Sequence, residues 1–195
     1  MKRLDAGWLP SALLIGHVAA LVFGAVGLLI MLPHPNLWDG DPRAVRVFDL
    51  SMRYAGSLPI ILGALTMLAY GLRAIGWRKT LTFAVAAYAI SITSELVGTG
   101  TGWPFGNYAY TNFLGHKVMG RVPYTIPMSW FCMGFASYLL GSFVAARLGL
   151  RRRTLWSLAL GAWFLTAWDL VLDPAMAHQS LHIQFWVWKQ SGPYY

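Results

Sequence analysis

The sequence predicts an all-α fold, a polytopic integral membrane bundle of about five transmembrane helices, and three observations lead there. Of 195 residues, 57% are hydrophobic and 11% charged, a balance too apolar for an ordinary water-soluble domain. The apolar residues gather into five long runs. The Lys and Arg residues gather between those runs and at their ends. A helix needs about 20 predominantly apolar residues to cross the hydrocarbon core, with about 17 as a lower limit.

Residues 9–32 contain no Asp, Glu, Lys or Arg, and His17 is their only ionisable group. Lys2 and Arg3 precede this run as they would a signal peptide, but the apolar stretch is longer than a signal core. No small-x-small cleavage pattern follows it, so a retained span is expected. Residues 54–72 make the second span and residues 80–97 the third, which begins just after Lys79. Residues 124–146 make the fourth; its Cys132 is the single cysteine of the chain and is expected to pack rather than react. Residues 154–172 make the fifth and contain Asp169. The expectation is a single integral membrane domain over residues 1–195, with no internal repeat.

Charge sets the expected orientation. Lys2, Arg3, Arg73, Arg78, Lys79, Arg147, Arg151, Arg152 and Arg153 fall on the side of the N-terminus, nine in all. Arg43, Arg46, Arg53, Lys117, Arg121 and Lys189 fall on the other side, six in all. The positive-inside rule then places the N-terminus in the cytoplasm. The net charge of +8 is scattered over span ends, where anionic lipid headgroups account for it. Membrane lipid is therefore the expected partner, and nucleic acid is not.

With this topology the third and fifth spans end on the same face, and the fourth begins there. Glu95, Asp169 and Asp173 are thereby brought to one level, beside the Gly-, Pro- and aromatic-rich segment 95–130. Irregular backbone near membrane depth is tolerated only where protein buries it or where it lines a cavity, so the segment reads as part of a site. Acids within spans usually face the bundle interior or a cavity, and each is a functional candidate. Taken alone, Glu95 also suits a helix-end carboxylate in contact with water, and Asp173 suits a cap before Pro174. Asp169 and Asp173 stand four residues apart on one helix face. Two anions so placed in an apolar setting repel, so one of the pair is expected to hold its proton and be able to donate it.

Ten Trp, nine Tyr and ten Phe belong partly to interfacial belts, and Trp8, Trp38 and Trp77 read that way. Trp103, Phe105, Tyr108, Tyr110, Tyr124 and Trp130 cluster instead around the segment with the acids, and Trp168 adjoins Asp169. Rings of this kind grip a flat polyene and stabilise a developing cation through their faces. Glycines 98, 100, 102 and 106 permit close backbone approach. They do not stand between a strand and a helix as a phosphate loop requires, which excludes nucleotide binding. His178 and His182 are four residues apart but follow Pro174 without a clear supporting helix, so a surface or interfacial role is expected and no metal site.

The pattern E-L-V-G-x-x-x-G-x-P-F-G-x-Y-x-Y from Glu95, then L-G, then G-x-V-P-x-x-I-P-x-x-W ending at Trp130, and later A-W-D-L-x-L-D-P-x-M from Ala167, resembles the membrane carotenoid 1,2-hydratase family of the bisanhydrobacterioruberin hydratase and γ-carotene 1′-hydratase type. The resemblance covers roughly residues 55–195. It implies a carotenoid biosynthesis enzyme that adds water to the terminal C1=C2 double bond of an acyclic end group and gives a tertiary alcohol. The substrate would be an acyclic or monocyclic carotenoid such as lycopene. Protonation at C2 makes a tertiary cation at C1, and water adds there, so no redox cofactor is needed and none is signalled. Asp169 or Asp173 is the expected proton donor, and Glu95 the expected water-positioning group or base. The family pattern continues past W-x-W and G-x-Y-[FY] with a G-I-P-x-x-N-like stretch and further apolar segments. Here Trp186, Trp188, Gly192, Tyr194 and Tyr195 match before the sequence stops, so the chain is expected to be C-terminally short relative to that pattern. Two other classes stay open at this point: a non-catalytic carotenoid-binding protein, and a small proton-coupled transporter whose intramembrane acids mark an ion path.

Overall fold

The computed structural model describes residues 7–190; the charges of Lys2 and Arg3 and the motif residues Gly192, Tyr194 and Tyr195 lie outside that range. Five helices are long and apolar enough to cross a membrane, and the architecture is an all-α polytopic bundle. Helix α1, Trp8–Val26, continues through a wider-wound turn at Gly27–Met31. After α2, Pro42–Tyr54, come α3, Ser57–Ala74, and α4, Trp77–Thr101. Helices α5, Thr125–Arg147, and α6, Arg153–Ala177, complete the set. Helix α5 is the centre: α3, α4 and α6 all pack against it, and α1 packs on α3.

Proline and glycine are placed as membrane helices tolerate them. Pro59 and Pro127 stand in the first turns of α3 and α5, where a missing N–H costs no helical bond. Small residues let the helices approach, as expected where lipid removes the hydrophobic drive between them. At the crossing of α5 and α6, a Cβ on Gly141 would meet the Ser157 carbonyl oxygen at 2.6 Å and the Gly161 nitrogen at 2.7 Å. Ser142 and Ser157 hydroxyls meet across the same interface at 3.0 Å. Since the obstruction is backbone, Gly141→Val is expected to cost about 1–3 kcal/mol or more. A drop in the thermal midpoint of the detergent-purified protein, relative to Ser142→Ala, is the measurement.

Helix α2 lies outside the five expected spans, because its 13 residues are too few to cross the hydrocarbon core. Asp41 caps it, accepting a bond from the Arg43 amide at 2.8 Å. Val47, Phe48, Ser51 and Met52 face an apolar cavity against α1, while Arg43, Arg46, Asp49 and Arg53 occupy the other positions. Trp38 stacks on Phe48 with ring centroids 4.0 Å apart. This is the composition of a helix lying along a membrane surface.

Two short antiparallel ribbons cover one end of the bundle. Strand β1, Tyr108–Tyr110, pairs with β4, Trp186–Trp188, with Tyr108 opposite Trp188 and Tyr110 opposite Trp186. Strands β2, Lys117–Val118, and β3, Val122–Pro123, form a tight hairpin. Met119 and Gly120 both take positive φ in the three-residue connection between the strands, and the Arg121 amide closes the turn on the Val118 carbonyl at 3.0 Å.

Candidate functional site

Glu95 sits six residues before the end of α4. The helix runs on past residue 97, where the expected span ends, through the Gly-Thr-Gly-Thr stretch, and it ends at Gly102 in the left-handed conformation. Thr99 and Thr101 bond back to the carbonyls of Glu95 and Val97 at 2.7 and 2.8 Å, which keeps these threonines compatible with the helix. Glu95 is only 5% exposed and is the most enclosed acid of the three. The Tyr108 hydroxyl donates to its Oε2 at 2.5 Å, and the Tyr110 hydroxyl donates to the same oxygen at 2.8 Å. One oxygen accepting two hydroxyl donors is suited to a carboxylate. Burial first, and then the neighbouring Glu95 charge, push both phenols above their ordinary value, so they stay protonated donors.

The two tyrosines reach Glu95 because the period of a strand is two, so residues 108 and 110 share a face. Gly98 makes room beneath them: a Cβ there would meet the Tyr108 hydroxyl at 3.0 Å and Phe105 Cδ2 at 3.1 Å. Their cross-strand partners Trp188 and Trp186 stand on the same face, at ring separations of 5.3 and 6.1 Å. The strand that carries these tryptophans is tied down at several points. Thr111 Oγ1 donates to the Gln184 and Phe185 carbonyls at 2.9 and 3.0 Å. The Phe185 amide bonds Met176 O at 2.8 Å, and Gln184 Nε2 bonds Ala177 O at 2.6 Å.

Beneath this aromatic cover lies a cavity of about 120 Å³ that the three acids line together. Helix α6 continues past Pro174 to Ala177, so Asp169 and Asp173 are one turn apart on a continuous helix. Asp173 is half-buried and Asp169 is exposed at the cavity mouth. Phe105, Tyr108, Tyr110, Trp130 and Trp168 join them, as do Ser129, Met133, Trp186 and Trp188. Trp103 and Tyr124 do not. Trp103 is 73% exposed beyond the chain reversal at Gly102. The Tyr124 ring lies against Gly115 instead, where a Cβ would stand 2.9 Å from it.

On the far side of β1 is a second, polar cavity of about 340 Å³, lined by Thr99, Lys117, Arg121 and Lys189. Tyr108 and Tyr110 border both cavities. The pair therefore forms a partition, with an apolar chamber and three acids on one side and a cationic recess on the other. The acids permit proton delivery and acceptance, the rings accommodate a flat apolar group or a cation, and the recess suits water.

A family model described as carotenoid biosynthesis protein matches residues 55–195. The bisanhydrobacterioruberin hydratase of Haloarcula japonica is 31% identical to the chain over 176 residues, which is 87% of this chain and 54% of that protein. The chain thus spans about half the length of the curated relative it matches. No solved structure matches the chain.

Proposed function

The chain belongs to the carotenoid biosynthesis protein family, and from that premise we propose that it hydrates the terminal C1=C2 bond of an acyclic carotenoid end group by acid catalysis, without a redox cofactor. The observation that carries the proposal is the cavity where Glu95, Asp169 and Asp173 meet under an aromatic cover. Asp169 or Asp173, one helical turn apart on the cavity wall, delivers a proton to C2. The positive charge then rests on the tertiary C1, facing the rings of Trp130, Trp168 and Trp186. Water attacks C1, and Glu95, held as an acceptor by two tyrosine hydroxyls, takes the proton that the water releases. One proton is given, one is returned through the acids, and no electron pair leaves the substrate.

The polar recess behind the tyrosines supports a water supply separate from the apolar route of the substrate. We further propose that the chain acts as one integral membrane domain with a cytoplasmic N-terminus, which places this chemistry at the outer face. An N-terminal reporter that is active only in the cytoplasm is the check on orientation.

The test is pigment analysis, by chromatography and mass spectrometry, of lycopene-producing bacteria expressing the chain. A gain of one or two waters, giving tertiary alcohols, is expected. Unchanged pigment with the protein inserted in the membrane contradicts the proposal. In the same assay Tyr108→Phe, which deletes one of the two donors on Glu95 Oε2, is expected to slow hydration roughly tenfold or more, with protein levels retained.

A further inference from the structure

A second apolar space continues from the site into the depth of the bundle. Helices α4 and α6 both lie against α5 but barely touch one another, which leaves a groove of about 330 Å³ along α5. Trp130 and Leu165 line both this groove and the acid-bearing cavity. From there the groove runs past Ser91, Gly134 and Tyr138 to Phe83 and Leu158. On α4 the path from Glu95 back to Phe83 is twelve residues, roughly 18 Å at the helical rise. Its open side lies between α4 and α6, where a membrane helix pair faces lipid.

We propose that this groove holds the conjugated chain of the carotenoid, admitted sideways from the lipid between α4 and α6, with its end group projecting into the acid-bearing cavity. The inference rests on the hydration reading for the identity of the ligand. Continuity of the two spaces and the rings of Phe83, Trp130 and Tyr138 favour a straight, flat polyene over a flexible acyl chain. A chain lying along α5 offers one end to the acids at a time. A two-ended substrate then leaves and re-enters reversed, so singly hydrated product accumulates before doubly hydrated product.

Gly134→Leu fills the groove from its floor on α5 and Ala162→Leu from its α6 wall, and neither residue lines the acid-bearing cavity. A Cβ at Gly134 meets only Phe83 Cζ, at 3.7 Å, so Gly134→Ala serves as the folded control, and Ala162 is exposed on the lipid side. The full chain and its variants are purified in mild detergent from lycopene-producing cells. Bound pigment is read by absorption per mole of protein, and hydrated product is read separately in the same cells. Expected is at least a tenfold loss of bound carotenoid in both leucine variants, with Gly134→Ala retaining it. Equal pigment in all four proteins overturns the groove as the carotenoid's seat, whether or not hydration occurs. Pigment lost in the leucine variants without hydrated product in the wild type upholds the groove and sinks the hydration reading instead.

Discussion

Replacing Glu95 by Gln is expected to lower hydrated product by about 10²–10⁴-fold, the usual worth of a positioned general acid or base. Glutamine keeps the size of the side chain and still accepts from the Tyr108 and Tyr110 hydroxyls that hold Oε2. What it loses is the capacity to take a proton from the attacking water. The protein is therefore expected to insert normally and to retain bound carotenoid, so that binding and chemistry separate. Product rate in membranes and pigment per mole of purified protein are the two readouts. A Glu95→Gln protein as active as wild type would remove Glu95 from the reaction.

The second large effect is expected at the pair on α6. Asp169→Asn and Asp173→Asn each remove one member of a pair separated by one helical turn on a cavity wall. The donor's replacement is expected to abolish product, to the same 10²–10⁴-fold degree. Replacement of the other aspartate removes the neighbouring carboxyl one turn away and is expected to shift the pH dependence of the rate, with a smaller loss. Asp173 is half-buried, and Asp169 is exposed. The variant with no product at any pH names the donor. Loss of neither activity nor pH profile in both variants would exclude the pair from proton delivery.

Much of this arrangement was legible in the sequence because it depends on helix direction alone. Five apolar runs fix the fold class, and counting them sends Glu95, Asp169 and Asp173 to one end of the bundle, where they line one cavity. The remainder depends on local turns and long-range pairing, which composition does not encode. Trp103 lies close in sequence to the aromatic group but falls beyond the left-handed Gly102. Tyr124 is taken up by the backbone of Gly115. Trp186 and Trp188 matched the family pattern, but only the pairing of β4 with β1 brings them over the cavity, and three-residue strands carry too little periodicity to announce it. The expected third span ends at residue 97, before the glycines and threonines that follow Glu95. In an apolar setting their backbone is satisfied by continuing the helix, and the threonine hydroxyls bond back into it. This places Glu95 inside the helix rather than at its exit.

In the proposed reaction these acids add solvent water across a carbon–carbon double bond. Its most direct test is to incubate lycopene-loaded membranes containing the chain in water labelled with both deuterium and heavy oxygen, and to locate the labels by mass spectrometry. Heavy oxygen is expected in the tertiary hydroxyl at C1 and one deuterium at C2, with neither in membranes of the Glu95→Gln variant. A hydroxyl carrying oxygen from air, or product with no deuterium at C2, would contradict it.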